Sequence, residues 1–557
     1  MTDRKEHSHI STLKRLFAEN AIDRREFLRT ATLLGLSASA AYGVVGGSPF
    51  PEALAQPQMP KGGRLRIGMR VFDVSNPRRN PSTAGSNLVR QTCEYLSLTG
   101  RDNVTRPYLL ESWAASEDLK TWTLKVRRNI KWFSGRAFTA DDVVWNIKNA
   151  VDPATGSSIL GLMKPYLMAD FPTGAVGADG KPVTASRLWD ANAVEKVDDY
   201  TVRLNCRVGQ LAVPEHLFHY PFNIMDPVEN GVFKPGANGT GPFELLELEV
   251  GKRAVYRARK DYWGSGPYLD TFEFIDLGEE PSAYIAALQS KQLDGLQVLS
   301  NELIPAVKGM NHVTIYPAVT AQTGLARGKY DKPPFNDKRV RMALKLAVDN
   351  AKVLQVTLGE TGEVAEHHHV GPMHPEYAKL PPFKHDVAKA KALLAEAGFP
   401  NGIDLEIACR KDPSWESVIV QALVEQWKQA DIRVRINIMP TAEYNKVWTD
   451  VPFGYIGWAH RPLGIMTLGL AYRTGVPWNE SSYSNPEFDK LLAEAESTLD
   501  VERRRAIMAK LEAILQEDGP IVQPMWQKVH SAYDKKVLGA STHPSIYVFG
   551  NELALQS

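Results

Sequence analysis

Three adjacent histidines, His367-His368-His369, with His374 close behind, form the chain's notable cluster of metal-competent side chains. Neutral imidazole suits zinc, nickel or copper. Neighbouring residues of an extended chain point in alternate directions, so three in a row cannot all converge on one ion. No HExxH accompanies them, and no Asp or Glu stands at a recognised ligand spacing. Two readings stay open: a metal site in an exported metal-binding protein or metalloenzyme, or a loop lining a cleft or its rim. Asp141-Asp142 offers paired carboxylates but reads as helix N-terminal charge, favourable to the helix dipole. Trp132 and Trp145 read as core. There is no GxSxG elbow, no Walker-type GxxxxGK[ST] and no Rossmann glycine pattern, so hydrolase, NTPase and dinucleotide chemistries lose their usual signatures.

These residues sit on alternating strand and helix signals. Residues 64–69 alternate polar and apolar, as do Trp122, Leu124 and Val126 against Thr121, Thr123 and Lys125. Thr139 caps a helix with the stripe Val143, Val144, Ile147 and Val151. Between about Leu160 and Asp190 periodicity fades, predicting a long surface excursion. Further on, Asp386 predicts an N-cap, and Gly398 with Pro400 a stop. Val434, Ile436 and Ile438 read as a strand, Asn485-Pro486 as a helix start, and Leu511, Ile514 and Leu515 as the inner face of another helix. Alternation of this kind predicts α/β lobes.

The chain has 557 residues, 43% hydrophobic and 23% charged, with a formal net charge of +1. That balance favours neither nucleic acid nor a membrane surface as partner. Cys93, Cys206 and Cys409 lie far apart in sequence and form no disulfide framework or metal knuckle, which leaves two readings, one bridge with a leftover thiol or three buried thiols. Near the start, Arg24-Arg25-Glu26-Phe27-Leu28 precedes a weakly apolar run from Thr30 to Val45. That run leads to the small residues of Ala53-Leu54-Ala55. A basic region, an apolar region and a cleavage site in that order predict a twin-arginine type of export signal over residues 1–55, with Gln56 as the new N-terminus. The run is short of the ~20 apolar residues of a spanning helix, and no Cys follows for a lipid anchor. A periplasmic protein of about 500 residues is expected, enough for two or three domains.

Several runs, in order, resemble the solute-binding proteins of ABC transporters, in the class that includes dipeptide-, oligopeptide- and nickel-binding proteins. They are Leu110-Glu111-Ser112-Trp113 followed by Lys131 to Val143, Gly239-Thr240-Gly241-Pro242-Phe243, and Lys260-Asp261-Tyr262-Trp263-Gly264. Ala287-Leu288-Gln289-Ser290, Pro334 to Ala343, Ala388 to Pro400 and Tyr483 to Asp489 complete the set. The resemblance implies a two-lobed α/β fold of the periplasmic-binding-protein kind, with an extra subdomain in the first lobe and a ligand cleft between lobes. Its expected boundaries are 56–105, 230–325 and 521–557 for the first lobe, 106–229 for the extra subdomain, and 326–520 for the second lobe. It implies a monomer with no catalysis and no cofactor, whose partners are a small or peptide-like solute and the membrane subunits of an ABC permease. Closure of the lobes about a hinge would enclose the solute.

In peptide binders of this class, a second-lobe loop carries a Trp and, three residues on, an Asp that pairs with the ligand's α-amino group. Here Gly454-Tyr455-Ile456-Gly457 leads into Trp458-Ala459-His460-Arg461, so Arg461 stands where the Asp would stand. A guanidinium enclosed with an ammonium would leave two buried cations unpaired, at several kcal/mol. The loop therefore argues against ordinary peptides with a free N-terminus. Two readings follow: Arg461 binds an anionic group through its planar fork, or it pairs with an Asp or Glu of the protein itself. Arg473 and Arg327 are candidates for added charge. The expected ligand contacts are Phe72, Asp73 and Asn80 from the first lobe, Arg327 from the crossing segment, and His369, Trp458, His460 and Arg461 from the second.

Overall fold

The structure is a computed structural model that describes residues 7–36, 38–46, 59–80, 82–177 and 182–556. Two lobes share one continuous sheet of twelve strands. In the first lobe Arg64–Gly68 runs parallel to Thr271–Ile275 and to Gly295–Leu296. In the second, Ile403–Arg410 runs parallel to Ile432–Met439 and Phe453–Trp458. The long strand Val313–Gly328 joins the halves. Its first part pairs antiparallel with Met525–Asp534, and its last residues pair with Phe453–Trp458.

The predicted elements fall close to their signals. The alternating segments become the strands Arg64–Gly68, Thr121–Val126 and Ile432–Met439. Thr139 caps the helix Ala140–Val151 in a full capping box with Asp142. That interaction accounts for one of the paired carboxylates, since it satisfies backbone donors that helix starts leave free. Asp386 and Asn485 cap Val387–Glu396 and Pro486–Glu496. Leu110–Ala115, Thr121–Val126, Thr201–Asn205 and Val194–Asp198 form an antiparallel sheet apart from the twelve-stranded one, and its core runs on into helices of the second lobe. Cys93, Cys206 and Cys409 are separate buried thiols.

One expectation needs correction in part. The surface excursion expected over 160–190 is the largely exposed hairpin of Met168–Val176 with Pro182–Leu188, but the stretch before it is the helix Ile159–Leu167. The helix is apolar on almost every side and buried, so it shows no stripe, and Pro165 inside it breaks the pattern further. Part of the expected export segment lies among the described residues. Its helix Arg24–Leu33, capped by Asp23, buries Phe27, Leu28 and Ala31 in the main core. The Trp113 indole N–H donates to the carbonyls of Thr32 and Leu33 at 3.0 and 2.9 Å. Ala53-Leu54-Ala55 and Gln56 lie outside the described residues. Among those described, no helix is long and apolar enough to cross a membrane.

Candidate ligand-binding cleft

The parallel strands of both lobes aim their carboxyl ends at one place. Residues after Arg64–Gly68, Thr271–Ile275 and Gly295–Leu296 meet those after Ile403–Arg410, Ile432–Met439 and Phe453–Trp458 around a cavity of about 230 Å³. Open α/β sheets place ligands at such strand ends. Of the residues expected to touch ligand, Phe72, Trp458 and Arg461 line this cavity.

Trp458 ends its strand. Its indole N–H donates to Glu480 Oε1 at 2.8 Å, and Glu480 Oε2 receives Arg327 Nε at 2.7 Å. The Arg327 guanidinium also donates to the carbonyls of Val451 and Trp448. Arg327 is therefore a fully buried brace behind the tryptophan wall, and is not among the lining residues. Trp448, Trp458 and Trp478 stand with ring centroids 5.9–6.4 Å apart and interplanar angles of 73–82°, so the three indoles make a corner.

Arg461 is only 4% exposed. Its Nη1 donates to the carbonyls of Ala459 and His460 at 2.9 and 3.0 Å, and its Cζ lies 5.0 Å from the Tyr220 ring centroid. Its Nε has no hydrogen-bond partner among the described residues. No described carboxylate lies within ion-pairing distance, so the reading in which Arg461 pairs with an acid of the protein is not what the structure holds. The two other arginines of the wall are paired. Arg410 makes a forked contact to Glu416, at 2.6 Å from Nη2. Arg70 meets Asp276, Glu279 and Asp412 at 3.1, 3.4 and 3.2 Å. Burial raises the pKa of both Asp412 and Glu416, more than their arginines lower it.

The remaining expected contacts lie elsewhere. Asp73 is exposed and accepts from Ser75 N at 2.9 Å. Asn80 accepts from Ser82 N at 3.1 Å, shaping the turn before the helix Thr83–Arg90, and stays behind the lining. His369 is bonded through Nδ1 to the Tyr472 hydroxyl at 2.8 Å, with its ring edge-on to Trp458. His460 accepts from Ala321 N and donates from Nε2 to Asn103 Oδ1 at 2.9 Å, bridging the lobes away from the cavity. Burial drives both imidazoles well below their ordinary pKa, so they are neutral. Arg473 offers no free charge, since it pairs with Glu496 at 2.6 Å.

The histidine run diverges as adjacent residues must. His367 accepts from Gln523 N, His368 faces Glu366, and His369 turns to Tyr472. Among the described residues no three His, Cys, Asp or Glu gather as metal ligands. His374 instead donates to the Arg461 carbonyl at 3.2 Å and so helps to hold that loop. Sequence reasoning missed Arg70, Trp415, Trp448, Trp478 and Tyr220, which also line the cavity. None sits in a motif. Trp448 and Trp478 are single aromatic residues in loops or at helix ends, where periodicity carries no signal.

The sequence profile of the bacterial extracellular solute-binding proteins, family 5 Middle, matches residues 105–479. The chain belongs to this family. It is 25% identical over 501 residues to the periplasmic oligopeptide-binding protein OppA of Haemophilus influenzae, covering 85% of this chain and 90% of that protein. Its fold matches the PBP AgaA from A. tumefaciens R10 in complex with agropinic acid at a TM-score of 0.77, with 20% identity, covering 89% and 99% of the two chains. H. influenzae OppA in complex with RPPGFSPFR matches at 0.76, with 22% identity, covering 90% and 100%. The protein is thus a solute-binding protein of an ABC importer, from a family that binds rather than transforms its ligands.

Proposed function

We propose that this solute-binding protein captures a small, peptide-like or related solute carrying an anionic group in the interlobe cleft and delivers it to an ABC permease. It would work in the periplasm after twin-arginine export. Its lobes would divide near residues 325 and 520, with residues 106–229 as a subdomain of the first. The observation that carries this reading is Arg461, a buried cation on the cavity wall with an unused N–H and no carboxylate beside it. An anion there completes an ion pair that the protein leaves open, and an ammonium would meet only another cation. Trp458 and Phe72 supply the flanking walls. A ligand touching both lobes favours the closed arrangement by its differential affinity. Solved relatives hold a nonapeptide and agropinic acid, so the scaffold accommodates unlike solutes.

Native mass spectrometry of gently purified protein, followed by denaturation and identification of what is released, tests the reading. An organic anion that is bound by the parent and lost in Arg461→Asp is the expected outcome. Release of a peptide with a free N-terminus would overturn the role given to Arg461. A stoichiometric metal without organic solute would overturn the organic-anion ligand.

A further inference from the structure

The cavity wall has one open charge and an unusual share of rings. Phe72, Tyr220, Trp415, Trp448, Trp458 and Trp478 all face it. They are contiguous with the charge. Arg461 lies over Tyr220, Tyr220 packs on Trp478 at 5.7 Å, and Trp478 closes the corner with Trp448 and Trp458. The Trp458 N–H is committed to Glu480, so that ring offers a ligand its π surface and no donor. Rings set nearly perpendicular present faces and edges together, the arrangement that a further ring meets in offset or T-shaped contact. An aliphatic body gains burial in such a corner but not the quadrupole contact, worth about 0.5–1.5 kcal/mol per ring pair.

Size and charge narrow the ligand further. A cavity of about 230 Å³ lies below the ~300–1,000 Å³ usual for drug-sized ligands, so it suits a compact solute. The acids that line it, Glu279 and Asp412, both sit on Arg70 at the junction of the lobes. None stands beside Arg461 to receive an ammonium. Deepening the proposed function and resting on it, we infer that the solute is a compact organic anion with a flat aromatic body and no ammonium next to its acid group. The acid would sit on Arg461 and the ring in the corner of Trp448, Trp458 and Trp478.

The test uses the full chain freed of bound solute, with indole-3-acetate, hexanoate and the amino acid phenylalanine as probes, read by calorimetry and tryptophan fluorescence. Indole-3-acetate should bind about tenfold or more tighter than either of the others. Arg461→Met should weaken it by at least about tenfold in protein that still unfolds in one cooperative transition. Trp478→Leu should narrow the gap between indole-3-acetate and hexanoate, a readout that does not depend on the arginine variant. Equal or tighter binding of hexanoate or phenylalanine, or an unaffected Arg461→Met, overturns the inference and leaves the receptor reading in place. So does a co-purified solute that lacks an aromatic body or an acid group. If no probe binds and nothing organic is released from the purified protein, the anionic-solute reading falls as well.

Discussion

Arg461 and Arg327 show how one side-chain type serves opposite ends in one site. Both are buried, yet Arg327 is paired with Glu480 and holds two carbonyls, whereas Arg461 has two carbonyls and the Tyr220 side chain beside it, no carboxylate, and an idle Nε. The first is a brace and the second is an unfinished contact. Removing a brace of this kind leaves its partner charge buried alone, which costs roughly 3–5 kcal/mol. Arg327→Met should therefore destabilise the protein by about that amount in denaturant titration, and Arg327→Met/Glu480→Gln should recover part of it. The Trp458 emission should shift in the single variant, because Glu480 is what fixes its indole N–H. If Arg327→Met unfolds with unchanged midpoint and emission, the brace is not structural.

At the scale of elements, signals of one period were legible and signals of one residue were not. The capping box at Thr139 and the N-caps at Asp386 and Asn485 were readable because a cap and an apolar stripe repeat the same message. The Trp458 to Arg461 loop was readable as a pocket only through its resemblance to a family loop. Trp448, Trp478 and Arg70 were not readable at all, since their place in the cleft comes from tertiary packing of segments far apart in sequence. Buried acids on helices belong to the same unreadable class. Glu512, on the inner face of Val501–Asp518, accepts from Ala378 N with one oxygen and leaves Oε2 without a partner. Burial pushes its pKa up to about 9, so its approach to His368 is no ion pair at neutral pH. Because the folded state keeps this proton and the unfolded chain loses it near the ordinary carboxylate value, stability falls as pH rises from about 4.5 to about 9. Glu512→Gln keeps the acceptor for Ala378 and has no proton to lose. It should be more stable than the parent by ~1–3 kcal/mol at pH 8, converging with it near pH 5, in thermal unfolding across that range. A constant difference between the two proteins at all pH values would refute the assignment.

The lobes meet at the cleft through contacts that belong to neither one alone. The loop after Ile403–Arg410 reaches across with Lys411 to Glu280 at 2.8 Å, Asp412 to Arg70 at 3.2 Å, and Ser414 to Glu302. Lys411 and Glu280 are largely exposed, and such a pair contributes ~0–1 kcal/mol. Asp412 and Arg70 are sheltered at 24% and 21% exposure, so theirs is the contact whose charge state couples to closure. Desolvation raises the Asp412 pKa, Arg70 and Arg410 offset that rise only in part, and Glu279 adds to it. The closed arrangement therefore holds the Asp412 proton more tightly than an open, solvated one would, and acidification through the titration of Asp412 should favour closure. A ligand's apparent affinity scales with the closed fraction available to it. Asp412→Asn, which has no proton to lose, should thus tighten solute binding at neutral pH by about 3–10-fold, equivalent to roughly 1 kcal/mol of closure bias, and Lys411→Ala should do little. Small-angle scattering should show the parent becoming more compact as pH falls through that titration. Asp412→Asn should already be compact at neutral pH and insensitive to that change. An Asp412→Asn protein no more compact than the parent at neutral pH would place the closure bias in the cavity contacts alone, with Arg461 and the tryptophan corner holding the lobes together only when solute is present.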